Sequence, residues 1–114
     1  MMQLLIDGRC DPIPILETAL PSLRGLCRCI KMSPLGPPIP RSVADGFTLV
    51  QIIIESHIVI HVQDNFINID IFSCKPFDDK AAIRFCRGAF NIIEPFKHQV
   101  LDRKFGKEMA HAKA

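Results

Sequence analysis

The chain has 114 residues, 48% of them hydrophobic and 23% charged, with a formal net charge of +2. That length suits one domain, residues 1–114, around a single core of ordinary size. So mild a charge gives no electrostatic case for nucleic acid. The five cysteines (Cys10, Cys27, Cys29, Cys74 and Cys86) are odd in number and lack a Cys-x-x-Cys pair, which fits a reduced, cytoplasmic protein. Cys27 and Cys29 lack the second half that a zinc site needs, so no metal is expected. The N-terminus lacks a secretory signal profile, and no apolar run reaches membrane-spanning length. A modest basic cluster (Arg103, Lys104, Lys107, Lys113) reads as a solvated tail.

In chain order, residues 2–6 (MQLLI) predict a short strand ending at Asp7-Gly8. Leu16, Leu20, Leu23, Cys27 and Ile30 recur at steps of four and three, the stripe of an amphipathic helix in which Pro21 kinks or delays the start. The stretch 33–42, SPLGPPIPRS, holds too many prolines for a central strand and reads as an ordered loop or an edge. Residues 47–62 read as the strongest strand, and Asp64-Asn65 as the turn into a returning strand, FINIDIFSC (66–74). A second helix is expected over 77–90, capped by Asp78 or Asp79, with Ala82, Cys86 and Phe90 along one side. A last strand follows near HQVLDRKF, and the tail beyond Gly106 frays. The result is an α+β domain, an antiparallel sheet with helices on one face.

Within the apolar segment IIIESHIVIH (52–61) stand Glu55, Ser56, His57 and His61, groups that cost a few kcal/mol each when buried without partners. A tight turn at Asp64-Asn65 sets Ile60 opposite Ile69, Ser56 opposite Ser73 and Glu55 opposite Cys74, so a serine and a thiol meet at one end of the hairpin. His61 lies five strand residues from Ser56, roughly 16 Å along the chain, and the odd spacing turns it to the other face. If Ser56, Cys74 and His61 cooperate, His61 must come from a second copy of the chain, which implies a two-fold dimer with composite sites. Singly, each has a bland reading: a serine bonded to a neighbouring carbonyl, a satisfied half-buried histidine, a cysteine filling the core. Their joint spacing favours function. His57 reads as structural, beside Ser56.

Glu-Ser-His, a histidine five residues after the serine (ESHIVIH), and the strand DIFSC together resemble the signatures of the bacterial and archaeal S-adenosylmethionine decarboxylases. The good match covers residues 46–74, and LLIDGRCDP looks like the family's opening strand and turn. The resemblance implies a proenzyme that cuts itself at Glu55-Ser56 into a β chain (1–55) and an α chain (56–114), leaving a pyruvoyl group made from Ser56 as the covalent cofactor. By position, Ser56 would attack the Glu55 carbonyl. His61 would be the processing base and Thr48 a hydroxyl that bonds the processing intermediate. Cys74 would be the thiol that reprotonates the product. The pyruvoyl carbonyl would form a Schiff base with an amino-acid-type substrate, doing the work of pyridoxal. The family also implies a homodimer, an α/β/β/α sandwich with shared sites, and a role in spermidine and polyamine synthesis.

Two family features have no counterpart here. The aromatic residue six before Thr48 is replaced by Ser42, and VQDN follows His61 where the family has Thr-Trp-Pro-Glu, with Asp64 as a stand-in for its ribose-binding glutamate. Losing one stacked ring and one carboxylate weakens a nucleoside clamp. Two rival readings follow: a decarboxylase of ornithine or arginine on the same scaffold, with Asp11, Asp45 or Asp64 meeting the distal cation, and a non-catalytic homologue that regulates an active partner.

Overall fold

Ile58, Ile60 and Val62 are buried while His57, Val59 and His61 between them are half-buried, the period of two that a strand imposes when one sheet face meets the core. The computed structural model describes residues 1–103. In chain order it comprises β1 (Met2–Cys10), α1 (Leu16–Cys29), β2 (Ser33–Pro34), β3 (Ile39–Val43), β4 (Gly46–Ile54), β5 (Ser56–Gln63), β6 (Phe66–Ser73), α2 (Asp79–Ala89) and β7 (Ile92–Asp102). The strands form one antiparallel sheet in the order β2-β4-β5-β6-β1-β7, and β3 also pairs with β4. Both helices cover the same face. Leu23, Leu26, Cys27, Ala82, Cys86 and Phe90 pack there with Leu4, Ile6, Leu49, Ile58, Ile60, Ile69 and Ile71, all 2% exposed or less. This is the expected α+β architecture.

The helices form as their stripes require. Pro21 lies inside α1 and on its exposed side, so it removes one backbone bond without ending the helix. Asp78 caps α2 by accepting from the Ala81 amide at 3.0 Å. The proline-rich stretch supplies β2 and β3, both at an edge of the sheet. β1 runs past Asp7-Gly8 to Cys10, with a register shift between Asp7 and Arg9 against β7. Gly8 sits at that irregularity, where a Cβ would lie 3.0 Å from Ile92 and 3.1 Å from Phe96. The last strand begins at Ile92, well before HQVLDRKF, and admits Pro95 because β7 is an edge. The expected frayed tail beyond Gly106 lies outside the described residues.

One expectation is overturned. Residues 47–62 are not a single strand: the chain reverses at Ile54-Glu55, and β4 and β5 pair with each other from Gly46↔Gln63 to Ile53↔Ser56. An unbroken strand of that length would measure about 53 Å, longer than the 49 Å long axis of the molecule. The face away from the helices is uncovered. Ile39, Val43, Ile52 and Ile54 each leave 41–49% of their surface open there, beside Val50, Val59 and Phe72.

Candidate active site

The turn between β4 and β5 puts Glu55 and Ser56 at a hairpin tip. Ser56 has φ 127°, a conformation that residues with a side chain seldom adopt. β6 runs alongside in the register expected from Asp64-Asn65: Gln63↔Phe66, Ile60↔Ile69 and Ser56↔Ser73. One residue further, the Cys74 amide donates to the Glu55 carbonyl at 3.2 Å. The structure therefore brings Glu55, Ser56 and Cys74 together. Ser73 is fully buried beneath them, and its hydroxyl accepts from the Lys75 amide at 3.1 Å.

Thr48 and His61 form a second cluster. They are direct cross-strand partners on β4 and β5, and Thr48 Oγ1 lies 2.7 Å from His61 Nδ1. His61 Nε2 is 3.4 Å from Gln63 Oε1. Arg41 is the cross-strand partner of Thr48 on β3, and its guanidinium donates to the Pro40 carbonyl at 2.8 Å; no periodicity or motif marked it. His61 and Ser56 share β5 with four residues between them, roughly 16 Å apart along the strand, so one chain does not bring them together. Asp64 is exposed in the β5–β6 turn, where its amide donates to the Asp45 carbonyl at 2.8 Å. Asp11 and Asp45 are exposed as well, and Ser42 faces Phe47 across β3 and β4.

His57 is held more firmly than its sequence position suggested. Its ring stacks on Phe72, the cross-strand partner, with centroids 5.6 Å apart and 22° between planes. Its Nε2 lies 3.3 Å from Asp70 Oδ2. Asp70 and Phe72 escaped the sequence reading, although filling in the β5–β6 register between Ile60↔Ile69 and Ser56↔Ser73 would have found both.

The remaining cysteines are packing groups. Burial pushes the Cys86 thiol up to about 12, with a smaller contribution from Cys29, and the Cys10 thiol up to about 11. Burial raises Cys27 too. Such thiols hold their protons at neutral pH and make poor acids or nucleophiles. Among the described residues, no three His, Cys, Asp or Glu side chains converge as metal ligands would, and no helix is long and apolar enough to cross a membrane.

Among solved structures the chain is similar to the adenosylmethionine decarboxylase from Aquifex aeolicus VF5. The TM-score is 0.77 at 21% identity, over 94% of this chain and 92% of that one, a likeness of fold. Comparison with curated proteins gives no significant sequence match. The family model for S-adenosylmethionine decarboxylase matches residues 13–104, a span that runs from before α1 to the end of β7 and includes Glu55, Ser56, His61 and Cys74. With the sheet, the helices and the match over most of the length in agreement, the chain belongs to the S-adenosylmethionine decarboxylase family.

Proposed function

We propose that the chain is a self-processing, pyruvoyl-dependent decarboxylase of S-adenosylmethionine, working as a cytoplasmic homodimer and supplying polyamine synthesis. The observation that carries this reading is the hairpin tip: Ser56 in its left-handed conformation, next to a Glu55 carbonyl that already accepts from the Cys74 amide. An amide aimed at that oxygen stabilises the negative charge that grows there when a nucleophile adds to the carbon.

In the proposed sequence, Ser56 Oγ attacks the Glu55 carbonyl carbon. The amide C–N bond breaks, the nitrogen takes the hydroxyl proton, and an ester joins the two residues. His61 of the partner subunit then removes the Ser56 α-proton, and the Glu55 carboxylate leaves the β-carbon. Water replaces the nitrogen, which departs as ammonia, so residues 1–55 end at Glu55 and residues 56–114 begin with the pyruvoyl group. Thr48 steadies the His61 ring through Nδ1. When bound to substrate, the pyruvoyl carbonyl accepts the substrate amine and takes up the electron pair released with carbon dioxide. Cys74 returns a proton to the substrate carbon.

The uncovered sheet face supports pairing with a second copy. An antiparallel sheet tolerates water on one side, but this side carries Ile39, Val43, Ile52, Ile54 and Phe72 beside the half-buried His57 and His61. Two such faces laid together would form an α/β/β/α sandwich, with the Glu55-Ser56 hairpin tip at its margin as the place where His61 of the partner subunit would have to reach Ser56. Asp64, three residues after His61, is the residue proposed to meet the substrate's ribose or its distal cation.

Mass spectrometry of the purified chain tests processing. The expected result is two fragments, 1–55 and 56–114, the second capped by pyruvoyl, with Ser56→Ala remaining whole at 12.8 kDa. Release of labelled carbon dioxide from S-adenosylmethionine, ornithine and arginine in parallel then tests the substrate. Ser42, in place of a stacking ring, makes ornithine or arginine the informative competitors. A chain that stays uncut would instead indicate a regulatory homologue.

A further inference from the structure

Four polar side chains form an unbroken row on the open face of the sheet, from the end of β7 through β1 and β6 to β5, and stop at the residue bonded to Ser56. Arg103, just past β7, donates from Nη1 to Gln3 Oε1 of β1 at 2.7 Å. Gln3 Nε2 donates to Asp70 Oδ1 of β6 at 3.0 Å. Asp70 Oδ2 lies 3.3 Å from His57 Nε2 of β5. The direction of this row is fixed at its ends. A guanidinium only donates, so Gln3 turns its oxygen to Arg103 and its amide hydrogens to Asp70. An ionised carboxylate only accepts, so His57 Nε2 carries a hydrogen. The neutral imidazole therefore has a bare Nδ1, which no described residue meets with a hydrogen bond. The Phe72 ring stacked on it sets the plane of the imidazole.

We propose that Asp70 is a positioning residue for self-processing: it holds His57 in the Nε2–H tautomer and one ring plane, and so anchors the amide side of the 55–56 junction. His57 supplies the next peptide unit after Ser56, and a carboxylate that orients an imidazole is a general way of fixing its tautomer. This rests on the self-processing reading, but its first test does not.

That test is 15N NMR of the imidazole nitrogens in the Ser56→Ala chain, which cannot cut, with the rings neutral. The expected His57 signal is that of Nε2–H with a bare Nδ1. In Asp70→Asn the new amide keeps its oxygen toward Gln3, turns its NH2 to His57, and flips the ring to Nδ1–H. In chains that retain Ser56, Asp70→Asn should slow the appearance of fragments about tenfold, with little change in melting temperature because the reversed hydrogen bond still ties His57 to β6. His57→Gln, whose amide reaches the position of Nε2 and still donates to Asp70, should cut within about threefold of the unsubstituted chain, whereas His57→Ala should be as slow as Asp70→Asn. Finding His57 as Nδ1–H in the Ser56→Ala chain, or Asp70→Asn cutting at the unsubstituted rate, overturns the proposal. An unsubstituted chain that never cuts refutes the processing reading instead, and the tautomer still decides the role of Asp70.

Discussion

Thr48→Val removes one atom's chemistry and almost none of its shape. The two side chains are isosteric and both are branched at Cβ, so β4 keeps its propensity and packing. What disappears is the 2.7 Å contact between Thr48 Oγ1 and His61 Nδ1 across the β4–β5 ladder. A single intramolecular hydrogen bond contributes about 1 kcal/mol net, and the half-buried ring can recruit water in its place, so the melting temperature should fall by about 5 °C. If the hydroxyl also steadies His61 while that ring removes the Ser56 α-proton, the same 1 kcal/mol in the barrier slows cutting about fivefold. The assay is the time course of fragments 1–55 and 56–114 from freshly purified chain, followed by mass. Thr48→Ser, which retains the hydroxyl, should cut within about twofold of the unsubstituted chain. Cutting by Thr48→Val at the unsubstituted rate, or by Thr48→Ser as slowly as by Thr48→Val, would refute the reasoning.

Gly46→Ala should destabilise by about 3 kcal/mol or more, because its Cβ would stand 1.8 Å from the Val62 carbonyl oxygen and force β4 and β5 apart; an unchanged urea midpoint would contradict this. Asp78→Ala removes the cap on the Ala81 amide and should cost about 1 kcal/mol, read as the same midpoint shift. Alkaline pH should weaken the fold. Burial raises Cys86 from 9.0 to about 12 and Cys10 from 9.0 to about 11, so above about pH 9 the unfolded thiols ionise while the folded ones keep their protons. Unfolding then releases protons, and the contribution of these two thiols, constant below that pH, falls as pH rises toward 11 and 12. Urea titrations at several pH values should show a shallower fall for Cys86→Ala.

Much of the site could be read before the fold was known, because β5 and β6 are joined by a two-residue turn. Asp64-Asn65 fixes the register, the register sets Ser56 opposite Ser73, and Glu55 then meets Cys74. The turn at Ile54-Glu55 was hidden for a physical reason. It contains no glycine, proline or asparagine, and isoleucines occupy the approach to it, so the local signal is that of continuous strand. The reversal comes from pairing between β4 and β5 over their full length, which no short window contains. Gln3 and Arg103 were out of reach for a similar reason: β1 joins β6 and β7 across the whole chain, and nothing local announces those partners. Pro95 obscured the start of β7, since only the edge position of that strand makes a proline acceptable there.

The prolines at the sheet's margins bear on how copies of this molecule can meet. Pro34 and Pro40 lie on β2 and β3 at one border and Pro95 on β7 at the other. Each lacks the amide hydrogen that an incoming strand from a neighbour would need at that position, which hinders ribbon-like growth by strand addition at both sides. In the proposed homodimer the two copies meet on the broad apolar face instead, and that pairing leaves both margins of the sheet free of a neighbour's strand.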